Sequence, residues 1–242
     1  FILVFKIKIN FFNSSIYKNN FIMLQTINKN RWINFVRLWI IIKKNISDLS
    51  YFIDYSQSNK IDPSTFVDGL EHNKIIFLNG RIEKIDFNHE DKSKIEISDE
   101  TKKDISFNYE NSLIDLNSAF TDKVFKILVK KDYSLKKPLI IYHSTNDSIK
   151  STNINLRLDF ELGENSCLKL IDYFTNNTTK NFINIFYNFI LENDSIFKNY
   201  KIDKFRNGNL TYSFNNIEQG NNSVSETFIL SAGSDYLKNE IN

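Results

Sequence analysis

Residues 162–231 read LGENSCLKLIDYFTNNTTKNFINIFYNFILENDSIFKNYKIDKFRNGNLTYSFNNIEQGNNSVSETFILS, and they state nearly the same thing three times. Glu164, Asn165 and Ser166 lead into Cys167–Tyr173; Glu192, Asn193, Asp194 and Ser195 lead into Ile196–Ile202; Gly220, Asn221, Asn222 and Ser223 lead into Val224–Leu230. The serines at 166, 195 and 223 recur at intervals of 29 and 28 residues. A fixed period in that range marks stacked units that each need a neighbour to bury an apolar face. Each unit also carries a second apolar run after a polar break, Phe182–Leu191 and then Leu210–Ile217. Two short strands per period with Asn, Asp, Ser and Gly corners predict a two-sheeted β-solenoid.

The runs themselves read as strands. Leu156, Leu158, Phe160 and Leu162 alternate with Arg157, Asp159 and Glu161, which predicts one face inside and the charged one in water. Phe182–Leu191 is continuously apolar, as a strand covered on both faces would be. An antiparallel sandwich also offers many short strands, but its loops have no reason to repeat at a fixed offset.

The chain has 242 residues, enough for a sizeable core in one or two domains. Hydrophobic residues make up 41% and charged residues 25%, which excludes a disordered chain. The wealth of Ile, Asn, Lys, Phe and Tyr is what an AT-rich genome writes, so the Asn-x-Ser/Thr triplets at Asn45, Asn146, Asn193, Asn209 and Asn221 read as background. One Cys cannot form an internal disulfide, in keeping with a reducing, cytoplasmic compartment, or a plastid-type organelle in a eukaryote. Eight Lys or Arg and no acid precede Asp48, leaving 23 basic against 29 acidic side chains in the rest; a mildly acidic body without a basic stripe argues against nucleic acid.

Three regions follow. Residues 1–22 begin without Met and place Lys6 and Lys8 inside an apolar run, unlike a secretory signal; they read as a leader or as translation upstream of Met23. Residues 23–74 read as an N-terminal helical segment and linker. Trp32, Phe35, Val36, Trp39 and Ile40 fall on one stripe at helical spacing within Arg31–Lys44, a stretch too short for a bilayer. Residues 75–242 read as the β domain. Ile75–Leu78, Asn79-Gly80 and Arg81–Phe87 predict a hairpin with a type I′ turn. Residues 88–106 read as a charged loop with a strand at 94–98, and 109–120 show little periodicity; strands follow at Val124–Val129 and Leu139–His143.

Leu116, Asn117, Ser118, Ala119 and Phe120, then Pro138, Leu139, Ile140, Ile141, Tyr142 and His143, resemble the Leu-Asn-x-Ala-Phe and Pro-Ile-x-Ile-x-His segments of the SufB/SufD iron–sulfur cluster assembly proteins. Phe77–Arg81 is similar to that family's Val-Asn-Gly-x-Phe segment, Arg157 falls where it has Arg-Asn, and Lys238–Asn242 looks like its Arg-Asn-Asp-Leu-Asn. The likeness spans residues 70–242, fits the SufD branch better, and departs from the family at Asp122-Lys123, where Asp-Gly is expected. It implies a mainly β chain: a right-handed parallel β-helix preceded by a short helical N-terminal segment. It also implies a scaffold assembled with a SufB-like subunit and a SufC-like ATPase around a nascent cluster, in a chain cut short before the SufC-docking segment and the cluster-handling residues.

The residues assign no catalytic, cofactor-binding or metal-ligating set. Cluster ligation wants several thiolates, and the single Cys167 reads as a small core residue. His72, His89 and His143 lack metal-ligand spacing, and His143 reads as a turn residue. Asp159 and Glu161 read as a solvated face rather than an acid–base pair. The expectation is therefore a scaffold and not an enzyme, with no cofactor of its own, no nucleic acid and no membrane. A carbohydrate-binding or polysaccharide-lyase solenoid is the alternative.

Overall fold

The computed structural model describes residues 66–101, 111–121, 123–145, 153–176, 181–204, 209–232 and 236–242. Its elements are β1 (Asn73–Leu78), β2 (Arg81–Asp86), β3 (Ile95–Thr101), α1 (Ser112–Phe120), β4 (Lys123–Val129), β5 (Leu139–Thr145), β6 (Asn153–Leu162), β7 (Cys167–Asn176), β8 (Phe182–Leu191), β9 (Ile196–Lys204), β10 (Leu210–Gln219), β11 (Val224–Ala232) and β12 (Tyr236–Ile241). From β4 onward successive strands alternate between two sheets, ordered β11-β9-β7-β5-β1-β2 and β12-β10-β8-β6-β4-β3. Neighbours from β4 to β12 within each sheet run parallel, with Phe182 beside Asn153 and Leu210, and Ile196 beside Cys167 and Val224. The chain is a parallel β-solenoid, and the sandwich is excluded.

The repeated corners explain the winding. Asn165, Asp194 and Asn222 sit at φ 58°, 57° and 57°, and Asp132 at 59° makes a fourth corner that the sequence period does not show. Asn and Asp tolerate this left-handed conformation better than other L residues. Corners stack through Asp132 N–H to Glu164 O (2.9 Å), Asn165 N–H to Asn193 O (3.0 Å) and Asp194 N–H to Asn221 O (2.9 Å). Side chains add Asn165 Nδ2 to Asp132 Oδ1 at 3.0 Å and Asn222 Nδ2 to Asp194 Oδ1 at 3.2 Å.

The core lies between the sheets. Leu158 stacks in register with Tyr187, and Phe160 with Phe189; on the opposite sheet Leu168 stacks with Phe197. Each such sealed side chain contributes about 2 kcal/mol of apolar burial. Strand β8 is covered on both faces, as its composition predicts, because α1 lies on its outer side: Leu113, Ile114 and Leu116 pack with Phe182, Phe186 and Phe214.

The N-terminal end is finished by antiparallel strands. The predicted hairpin β1–β2 forms, with Asn79 at φ 52° and Gly80 at φ 82° as a type I′ turn requires. The solenoid reaches further back than Val124, since β1 also pairs in parallel with β5. Strand β3 closes the second sheet against β4 and is longer than the strand expected at 94–98. Exposed charges on β2 blunt that edge against further pairing.

Two further expectations change. The stretch 109–120 contains α1, whose nine residues offer about two and a half turns of period; Asn111 caps it by accepting from Leu113 N–H at 3.0 Å. Arg157 does not face water: it is buried, 5.1 Å from the Phe186 ring and 3.3 Å from Asp159. The expected helix at 31–44 and the whole of residues 1–22 lie outside the described residues. Among the described residues no helix is long and apolar enough to cross a membrane.

Candidate functional site

Inward positions on β7 begin Leu168 and Leu170 and then turn polar at Asp172; on β9 they run Phe197, Asn199, Lys201 and Asp203. Register places Asp172 beside Lys201 and Phe174 beside Asp203, while His143 of β5 stands beside Phe174. Tyr187 reaches in from β8 on the facing sheet. Five polar side chains thus meet between the two sheets, and each is at most 4% exposed.

Asp172 is the acceptor at the centre. Tyr187 O–H donates to its Oδ2 at 2.5 Å, and His143 Nε2 stands 2.7 Å from its Oδ1 and 3.1 Å from the Tyr187 oxygen. A carboxylate only accepts, so the His143 proton sits on Nε2, leaving Nδ1 with no hydrogen-bond partner among the described residues. The imidazole is sandwiched by Phe174 at 4.3 Å and Phe77 at 5.5 Å. Lys201 Nζ lies 4.9 Å from the Phe174 ring and 6.0 Å from the Tyr187 ring, without a hydrogen-bond partner among the described residues.

Burial dominates the electrostatics, and neighbours then decide the direction. Burial pushes the Asp172 carboxyl up, but His143, Lys201 and the Tyr187 hydroxyl together hold it below its ordinary value. Burial lowers Lys201 against the pull of Asp203 and Asp172. Asp203 is raised by burial, despite Lys201 and a 2.7 Å bond from Ser231 Oγ. Burial and the Asp172 charge drive Tyr187 well above the ordinary phenol range.

The interior becomes still more polar towards the last strands. Thr211, Ser213 and Asn215 of β10 point inward and are buried, and Thr211 Oγ1, Ser213 Oγ, Asn215 Oδ1 and Asn199 Oδ1 have no hydrogen-bond partner among the described residues. Such atoms call for ordered water or a polar guest. The cluster ties one sheet to the other and can hold a proton inside the solenoid, but at this burial it offers no surface for a substrate. A separate open trough of about 440 Å³ lies between β2 and β3, lined by Lys84, Asp86, Phe87, Lys92, Ile95 and Ile97 without convergent catalytic groups.

The residues weighed from sequence are scattered. His143 is not a turn residue but the imidazole of this core, because β5 continues to Thr145. His72 lies outside, its Nδ1 2.6 Å from Leu70 O and its Nε2 3.0 Å from Tyr142 Oη. His89 is exposed in the β2–β3 connection. Cys167 is not a core residue: it is half-buried on the outward face, in register with Ile196. Asp159 is partly buried against Arg157, and burial raises its carboxyl. Glu161 pairs with Lys126 at 2.7 Å. Among the described residues no group of three or more His, Cys, Asp or Glu is arranged to hold a metal ion.

Asp172, Tyr187, Lys201 and Asp203 are not singled out by the sequence. Their signal is parity: each occupies a position whose strand neighbours two residues away point inward. No protein-family model matches the chain, and no curated protein matches it.

Proposed function

We propose that this chain is a non-enzymatic scaffold subunit of the SufB/SufD kind, acting by docking a SufB-like partner and, through it, a SufC-like ATPase that works on a nascent iron–sulfur cluster. The observation that carries the reading is the parallel, two-sheeted winding of β4–β12, the fold that the resemblance implies.

Two of the segments that carry the resemblance lie in formed elements of this solenoid. The Leu116–Phe120 segment forms the end of α1, where Asn117 Nδ2 donates to Leu156 O and Asn184 O, both at 2.9 Å. The Pro138–His143 segment enters β5 and supplies the imidazole of the core cluster. A carbohydrate-active solenoid would instead want acids and aromatics converging in an open groove; among the described residues the acid-rich cluster is sealed between the sheets.

Co-expression with SufB-like and SufC-like proteins from one source tests the proposal. The expected result is co-elution of all three through affinity and size-exclusion steps. Recovery of this chain without either partner above background would overturn it.

A further inference from the structure

The interior of the solenoid changes character from one coil to the next. The corner at 192–195 folds β9 back across β8, and the rings of Phe189 and Phe197 meet there at 4.4 Å. Steps of two residues away from that corner bring Asn199, Lys201 and Asp203 across from Tyr187, Ile185 and Ile183. One strand further along the second sheet, register sets Asn215 beside Tyr187, Ser213 beside Ile185 and Thr211 beside Ile183. Side-chain volume falls and polar atoms are added at the same three positions, which is the combination that admits water.

Asn199, Lys201, Asp203, Thr211, Ser213 and Asn215 are each at most 4% exposed. Each nevertheless carries a polar atom without a hydrogen-bond partner among the described residues: Oδ1 of Asn199, Asp203 and Asn215, Nζ of Lys201, Oγ1 of Thr211 and Oγ of Ser213. Asn215 Nδ2 donates to Glu240 O at 3.1 Å, which leaves its Oδ1 as the unused atom. The chemistry of these atoms selects the guest. Lys201 only donates, the amide and carboxylate oxygens only accept, and the two hydroxyls do either. A bare cation would face the Lys201 ammonium, and a bare anion would face Asp172, Asp203 and two amide oxygens. Water both donates and accepts.

We propose that the space between β9 and β10 is an internal hydration site, holding a cluster of ordered water that donates to Asn199, Asp203 and Asn215, accepts from Lys201, and bonds Thr211 and Ser213. At about three hydrogen bonds per internal water, the six atoms call for about two molecules at least. The water gives the Lys201 ammonium the partners that the chain itself withholds. The site lies inside the solenoid and does not depend on the partner assignment.

Magnetic relaxation dispersion of water oxygen, measured on the full chain, counts long-lived internal water. The informative variant is Thr211→Ile with Ser213→Ile, which copies the pair that register places beside them on β8. The dispersion amplitude should fall by about two waters in the variant, with the β-sheet circular dichroism unchanged. Equal amplitudes in the two chains, or no dispersion in the wild type, would overturn the proposal. A crystal structure of the wild type decides the matter whether or not the variant folds. Water oxygens within hydrogen-bond distance of Ser213 Oγ and Asn199 Oδ1 are the expected result. An ion or an empty gap in that place, or the six side chains bonded directly to one another, would overturn it.

Discussion

His143 Nε2 stands 2.7 Å from Asp172 Oδ1 in a space sealed between the two sheets. Removing one partner of a buried, hydrogen-bonded charge costs about 3 kcal/mol, and Asp172→Asn should lower the urea stability at neutral pH by that order. The Asp172 carboxyl is held below its ordinary value, mainly by His143 against the push of burial. Its stabilisation is therefore complete above the unfolded value of about 3.9 and is lost as pH falls through the folded one. Wild type and Asp172→Asn should converge on acidification; a constant gap would show that the group is not ionised in the fold.

Lys201 gives a slope of the same sign at the alkaline side. Burial lowers its folded value beneath the unfolded one of about 10.4, so between the two values the unfolded chain binds more protons and stability rises with pH. Lys201→Met removes that rise. The wild type should gain on the variant as pH rises towards the unfolded value of about 10.4, because the titration of Tyr187 is common to both chains. Parallel profiles across that interval would contradict a buried ammonium.

The parts of this fold that can be read from sequence are those where backbone chemistry repeats. Asn165, Asp194 and Asn222 are short polar residues at fixed spacing because each corner needs φ near 57°, and Asn79-Gly80 declares its turn by the same physics. Parity alone does not tell inside from outside once inward residues turn polar. Arg157 reads as solvated because sequence does not show that α1 and β8 roof its side of the sheet with Phe186. His143 is misread because β5 runs past it to Thr145, and Cys167 because its apolar character suggests core although it lies one residue before the inward Leu168 and so faces outward. The cluster of Asp172, Tyr187, Lys201 and Asp203 joins three strands from two sheets, and such pairing is a property of the winding.

Asn117 offers a sharper test of the helix cover. Its amide donates to two backbone carbonyls on β6 and β8, and Thr121 Oγ1 reaches its Oδ1 at 3.3 Å. Asn117→Ala loses both donated bonds and should cost about 2 kcal/mol. Asn117→Asp puts a carboxylate against two carbonyl oxygens and should cost more at neutral pH. Acid returns one donor by protonating it, so Asn117→Asp should recover towards Asn117→Ala on acidification, measured as urea midpoints.

Glu90 ties the β2–β3 connection to the β4–β5 connection. It accepts from Asn73 Nδ2 (2.8 Å), Tyr133 Oη (2.7 Å), Lys136 N (3.1 Å) and Lys137 N (3.0 Å). Burial pushes the carboxyl up, yet these four donors hold it below its ordinary value. Glu90→Gln should cost about 2 kcal/mol at neutral pH. The difference should fade as pH drops below the unfolded value of about 4.3, and amide exchange at Lys136 and Lys137 should quicken in the variant at neutral pH.

Gly163 separates close approach from mere turn preference. A Cβ there would stand 2.5 Å from the Lys131 backbone nitrogen, which cannot swing aside as a side-chain tip could. Gly163→Ala should therefore cost about 2 kcal/mol through a forced backbone shift. The equivalent corner position one turn later is Glu192, which already carries a side chain and accepts from Glu164 N–H at 3.0 Å. Glu192→Ala should stay within about 0.5 kcal/mol of wild type. Equal losses at the two positions, read from thermal or urea midpoints, would mean that the corners are interchangeable and that the contact with Lys131 is not what selects glycine.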